Sequence, residues 1–264
     1  MKQEAYPAEA CPNYDGRHKH NKKSEQTTTT PVYHMIIKVC GLREPENIRD
    51  ISALDVDMTG FIFWPESKRY VSQIPSYSGT IPNTSPLEEI EKTSGGPLRV
   101  GVFVNEMPQT IITRVYDSNL SCIQLHGDES PVYIENLRRT LVPDIVREIK
   151  IIKALSIREA DDVKRWREYR GHADLLLFDT KCQQHGGSGS KFDWNILYEY
   201  DGDIPFLLSG GIGPDDAESI KSISHPMMSG VDINSKFETE PGVKDVQKVK
   251  AFIDILRSSH PHSI

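Results

Sequence analysis

Two side chains able to move protons stand at similar places in the chain, each closing a short apolar run. Cys40 ends the run MIIKVC and Asp179 ends ADLLLFD. A thiol and a carboxyl can divide one proton-transfer task, one removing a proton and the other donating one. A cysteine base needs a lowered pKa, which Lys38 or a helix N-terminus would supply. A carboxylic acid donor needs a raised pKa, which partial burial would supply. Singly, Cys40 reads as a small buried hydrophobe and Asp179 as a helix cap; their pairing at two run ends shifts the reading toward chemistry. His126, at the end of a third such run, either touches a ligand or caps a strand.

The elements that would position these groups are legible as an alternation. From Tyr33 onward, the runs MIIKVC, GFIFW, LRVGVFV, SCIQLH, EIKIIKAL, ADLLLFD, IPFLLSG and MMSGVDI recur. They are rich in β-branched and large apolar residues and often lack polar alternation, as strands covered on both faces do. Between them PENIRDISALD, PQTIITRVYD, PVYIENLRRTL, READDVKRWREYR, DWNILYEY, PDDAESIKSI and VKDVQKVKAFIDIL carry apolar residues at three- and four-residue steps, as amphipathic helices do. The piece from Ser76 to Pro86 is Ser-, Thr- and Pro-rich and reads as an elongated loop, followed by a helical turn, LEEIEK. Eight strand-then-helix units predict a parallel sheet closed into a single-domain (β/α)8 TIM barrel over residues 33–264. An open doubly wound sheet would show a glycine-rich first turn, and CGLREPEN is not one. Residues 1–32 are polar and aperiodic and read as a disordered tail.

In such a barrel the site forms at the C-terminal strand ends. Lys38 and Cys40, Trp64 with Ser67 to Arg69, Asn105, His126, Lys153, Asp179, Ser209 to Gly211, and Asp232 to Ser235 would then gather at one rim. Gly210 and Gly211 permit close backbone approach, Asn234 and Ser235 add donors, and the seventh and eighth strand ends are the usual phosphate position. The glycine-rich HGGSGSKFDW, with Gly187 counted among the phosphate-binding residues, reads as a mobile lid.

Composition limits the alternatives. The chain has 264 residues and a formal charge of −7, which argues against a nucleic-acid surface. Its four cysteines show no CxxC spacing, so free thiols in a reducing cytoplasm are expected. Cys122 starts a strand at the far rim and reads as packing. Cys182 and His185 lack further metal ligands, as do His18 and His20, so no metal is expected. No apolar run could span a bilayer and no signal-peptide stretch opens the chain. The expectation is a cytoplasmic enzyme acting on a small molecule, with no nucleic-acid or membrane partner, as a monomer or alternatively a dimer.

The stretches KVCGL, GFIFWPESKRYV, VGVFVNE, IQLHGDE, LLLFDT, GGSGSKFDW, PFLLSGGIGPDD and VDINS with PGVKD, in this order from about Met35 to Ile255, resemble the phosphoribosylanthranilate isomerase family. The resemblance implies an aldose–ketose isomerase of tryptophan biosynthesis. It would convert N-(5-phosphoribosyl)anthranilate to 1-(2-carboxyphenylamino)-1-deoxyribulose 5-phosphate by an Amadori rearrangement, without cofactor or metal. It implies Cys40 as general base and Asp179 as general acid. Arg69 would hold the anthranilate end of the substrate and Asp232 would lie near the sugar and anthranilate; Lys38 and His126, from their strand-end positions, are counted with them as substrate-binding. Gly210, Gly211, Asn234 and Ser235 would hold phosphate. Lys236 departs from the family pattern, which has glycine there; if that glycine has positive φ, the loop must differ locally. Two rivals stay open: another sugar-phosphate isomerase on the same barrel, and a non-catalytic sugar-phosphate-binding barrel.

Overall fold

The computed structural model describes residues 34–72, 96–141, 149–180 and 193–258. The tail, the elongated loop with LEEIEK, Cys182, and the expected lid as far as residue 192, with His185 and Gly187, lie outside them.

Eight parallel strands close in chain order: β1 (Ile36–Cys40), β2 (Met58–Ile62), β3 (Leu98–Phe103), β4 (Cys122–Leu125), β5 (Lys150–Ile157), β6 (Leu175–Thr180), β7 (Phe206–Ser209) and β8 (Met228–Ile233). Closure is made by β1 on β8, with Lys38 opposite Asp232 and Val39 opposite Ile233. Alternate residues of each strand face inward, where Met58, Val100, Cys122, Ile152, Ala154, Leu175, Leu177 and Leu207 fill the interior. The others face outward into a larger core shared with the helices, which includes Ile37, Val39, Phe103, Leu176 and Phe178. Both faces are buried, which is why the strand sequences lack polar alternation. Cys122 belongs to the inner layer, and burial pushes its thiol up to about 11.

The outer helices bury the stripes their spacing implies. In α1 (Pro45–Ser52) these are Ile48 and Ile51. In α2 (Pro108–Asp117) they are Ile111 and Val115, and in α3 (Pro131–Leu141) Ile134, Leu137 and Leu141. Several expected helices are shorter than the sequence suggests. READDVKRWREYR gives α4 (Ala160–Val163) and then a 3₁₀ helix, Lys164–Tyr169. DWNILYEY is a 3₁₀ helix, Trp194–Glu199. The inward side chains explain this. Trp166 and Tyr169 are spaced by three, as are Trp194, Leu197 and Tyr200, and a period of three is the 3₁₀ period. PDDAESIKSI becomes a 3₁₀ turn, Pro214–Asp216, and α5 (Ala217–Lys221).

The last helix, α6 (Val246–Arg257), begins later than VKD implies. Asp245 caps it by accepting from the Gln247 and Lys248 amides, both at 3.1 Å. Val243–Lys244 instead forms β10, antiparallel to β9 (Glu238–Glu240). Gly242, at φ +93°, makes the turn.

Lys153 also differs from expectation. Its strand neighbours Ile152 and Ala154 face inward, so Lys153 faces out of the barrel. There its ammonium meets Glu129 at 2.9 Å and the carbonyls of Gly127 and Leu125 at 2.6 and 3.3 Å. It is an internal strut, not a rim group.

Candidate active site

The polar groups of the mouth form a row in strand register. Ser156 pairs with Asp179, Asp179 with Ser209, Ser209 with Asp232, and Asp232 with Lys38. Paired residues of parallel strands face the same side. Leu177 and Leu207 lie in the interior, so Asp179 and Ser209, two residues further along, also point inward at the C-terminal end. Ile36 packs against the inner layer, so Lys38 and Cys40 share that face.

The Lys38 ammonium is fully buried and donates to Asp232 Oδ1 at 2.7 Å. Ser209 Oγ donates to Asp232 Oδ2 at 3.2 Å. Burial opposes the Lys38 charge, but Asp232 and the neighbouring Cys40 outweigh it and raise its pKa. Cys40 is 4% exposed. A Cβ at Gly60, its register partner, would stand 2.7 Å from Sγ, so only glycine leaves room for the thiol. Burial pushes the Cys40 thiol up, and Lys38 works against that shift without reversing it. The expected lowering by Lys38 is therefore corrected. Lys38 does favour the thiolate, but burial outweighs it and the Asp232 charge adds to the rise.

Asp179 is half-buried, and its Oδ2 lies 3.4 Å from His126 Nε2. His126 in turn receives the Gln124 amide nitrogen at Nδ1, at 2.9 Å. Beside His126 an open cavity of about 480 Å³ extends over the ends of β3, β4 and β5, between Asn105, Asp128, Ser156 and Arg165.

Arg69 is gripped by Glu238, with Nε and Nη2 donating to its two oxygens at 2.7 and 2.6 Å. Lys244 Nζ bridges Glu238 Oε1 at 2.6 Å and Asn234 Oδ1 at 2.8 Å. Burial opposes the Glu238 carboxylate. Hydrogen bonds from Arg69, Lys244 and Gly242 prevail and hold it down to about 2. Gly41, at φ +76°, lets Arg69 and Asn234 close over the end of β1, for a Cβ there would stand 2.7 Å from each. Sequence reasoning missed Glu238 and Lys244. The only signal was PGVKD, whose lysine reads as helix start until the hairpin is seen.

Gly210 and Gly211 have φ of +93° and +65°. A Cβ on Gly210 would fall 2.1 Å from the Thr180 carbonyl oxygen, so this turn requires glycine. Thr180 Oγ1 donates to the Ser209 carbonyl at 2.8 Å and fastens the turn to β6. Ser235, exposed, opens a 3₁₀ turn, Ser235–Phe237, whose Phe237 is buried. Lys236 is exposed and has no positive φ, a conformation that among described non-glycine residues only Asn105 and Asn119 adopt. The lysine therefore fits without the local strain its exchange for glycine suggested. Among the described residues no group of three metal-ligating side chains occurs, and no helix is long and apolar enough to cross a membrane.

The sequence pattern of N-(5'phosphoribosyl)anthranilate (PRA) isomerase matches residues 37–255. The chain belongs to the phosphoribosylanthranilate isomerase family. N-(5'-phosphoribosyl)anthranilate isomerase from Parabacteroides distasonis is 45% identical over 219 residues, 83% of this chain and 92% of that one. Its counterpart from Phocaeicola vulgatus is 42% identical, over 84% and 98%. The crystal structure of phosphoribosyl anthranilate isomerase from Thermotoga maritima superposes with a TM-score of 0.65 at 32% identity, covering 84% of this chain and 98% of that one. A family structure in complex with reduced 1-(o-carboxyphenylamino)-1-deoxyribulose 5-phosphate gives 0.62 at 30% identity, over 84% and 98%. The chain is thus an isomerase of tryptophan biosynthesis on a TIM barrel, acting on a small molecule.

Proposed function

We propose that this barrel isomerises N-(5-phosphoribosyl)anthranilate with Cys40 as general base and Asp179 as general acid. The observation that supports it most is the inward-facing thiol and carboxyl at the ends of β1 and β6, bordering one polar row. Asp179 gives its proton to the furanose ring oxygen as the C1–O bond breaks, and the anilino nitrogen lone pair forms the C1=N bond of a protonated imine. Cys40, as thiolate, takes the C2 proton. The C–H electrons form the C1=C2 bond, and the imine π electrons return to nitrogen. The resulting enolamine regains a proton at C1 as its C2 hydroxyl loses one, giving the amino-ketose. The imine cation is an internal electron sink, so the scheme uses no cofactor or metal.

Around this centre, Gly210, Gly211, Asn234 and Ser235 hold the phosphate. Arg69, oriented by Glu238, holds the anthranilate end, and Asp232 and His126 contact the substrate between them. Lys38, fully buried, acts from beneath through Asp232. Anchoring the unreactive phosphate positions the carbon that reacts. We read the protein as a cytoplasmic monomer, with a dimer as the alternative. Large exposed apolar side chains such as Met107, Tyr116, Val132 and Tyr198 are spread over several elements, and light scattering decides the oligomeric state.

The test follows substrate fluorescence during turnover of purified protein. Cys40→Ala and Asp179→Asn each lower kcat by ~10²–10⁴-fold, the span of a lost acid or base. Wild-type turnover in either variant removes that residue from the mechanism. Absence of turnover in the wild type favours the non-catalytic reading.

A further inference from the structure

Gln124 is a buried polar side chain that this scheme does not use. It stands on β4 at 1% exposure, opposite Val102 and Ile152. Ile152 faces inward, and so does Gln124. Its amide nitrogen lies 2.9 Å from His126 Nδ1. Its amide oxygen is the one buried side-chain polar atom without a hydrogen-bond partner among the described residues.

An amide nitrogen only donates, so the Nδ1 it faces must present a lone pair. A neutral imidazole has a single N–H, which then sits on Nε2, the atom 3.4 Å from Asp179 Oδ2. The reversed amide would set its oxygen on an Nδ1–H, turn the Nε2 lone pair toward Asp179, and leave both N–H bonds of the amide buried and unpaired. Unpaired buried N–H groups are rarer in proteins than under-satisfied carbonyls, so the orientation with the nitrogen on His126 is the favoured one.

We propose that Gln124 is a positioning residue that locks His126 in its Nε2–H tautomer, so that a neutral donor faces the carboxylate left on Asp179 once its proton has gone to the substrate. An N–H at this position favours the product of the proton transfer, whereas a lone pair would repel it. The scaffold keeps the imidazole in place. Gly127, next to His126, donates its N–H to Glu129 at 3.0 Å and receives Lys153 at its carbonyl at 2.6 Å. The catalytic purpose rests on the role proposed for Asp179, but the tautomer does not.

The experiment is NMR of ¹⁵N-histidine-labelled protein at about pH 8.5, above the ordinary imidazole range, with His126 assigned by the signals lost in His126→Asn. The expected spectrum has a protonated Nε2 and an unprotonated Nδ1. Gln124→Glu offers only acceptors, so the proton moves to Nδ1. Turnover in that variant falls about 10-fold in kcat with KM little changed, less than the ~10²–10⁴-fold of a lost acid. Gln124→Met, which removes the donor without adding charge, gives mixed tautomers and a similar loss. A wild-type Nδ1–H signal overturns the proposal even if neither variant folds. So does a Gln124→Glu protein that keeps both the wild-type tautomer and the wild-type kcat. Full turnover in Asp179→Asn, beside a wild-type Nε2–H signal, overturns the catalytic purpose and leaves the tautomer supported.

Discussion

Burial lifts the Cys40 thiol above its ordinary value of 9.0, so in the unliganded enzyme the thiol holds its proton at neutral pH. Lys38 works against that rise but does not overcome burial, and Asp232, 2.7 Å from its ammonium, adds to it. On the proposed mechanism, the thiol therefore loses its proton to solvent before it takes the one at C2, and the imine cation formed on ring opening favours that thiolate. The ultraviolet thiolate absorbance lost on Cys40→Ser should therefore titrate with a midpoint above 9.0. A midpoint below about 8.5 would mean a thiolate formed in advance. That Cys40 and Asp179 stand at strand ends was legible in the sequence because each closes an apolar run. The state of the thiol was not, because it depends on burial in the closed barrel and on Lys38 and Asp232, 194 positions apart in the chain.

At the scale of elements, all eight strands were legible, since a parallel strand buried on both faces writes itself as an unbroken apolar run. The faces of single polar residues were less so. Lys153 sits on β5 like a rim residue but turns outward to Glu129, with both side chains 1% exposed. Glu129 also accepts from the Asn105 amide at 2.8 Å, so this pair ties the ends of β3, β4 and β5 together around His126. Lys153→Met leaves the Glu129 charge buried without its partner and should cost about 3–5 kcal/mol of stability. Urea midpoints measure this, and a Lys153→Met/Glu129→Gln double variant should recover much of the loss. An undiminished midpoint in the single variant would show that the pair is dispensable. The 3₁₀ helices and the β9–β10 hairpin escaped the sequence reading for a related reason: inward spacing of three, and a lysine that turns inward, both pass for helix in one dimension.

Across the whole molecule, the Arg69–Glu238–Lys244–Asn234 network joins the segment after β2 to the segment after β8, on either side of the closing β1–β8 seam. Glu238 titrates near 2 when folded, against an ordinary value of 4.5. Its folded pKa is depressed, so its stabilisation is fully present above about pH 4.5 and is lost as pH falls toward 2. Urea midpoints followed across that window should decline, and Glu238→Gln should flatten the decline; equal slopes would assign the acid sensitivity elsewhere. The row from Ser156 through Asp179, Ser209 and Asp232 to Lys38 is pinned by ladder bonds across five of the eight strands of the closed sheet. A strand cannot slip one place without sending its inner side chains outside. The span between thiol and carboxyl is therefore fixed by the backbone, and neither can move toward a poorly fitting ligand. The barrel mouth works as a ruler: it selects molecules whose proton-losing carbon and proton-accepting oxygen are already that far apart, measured from an anchored anionic end.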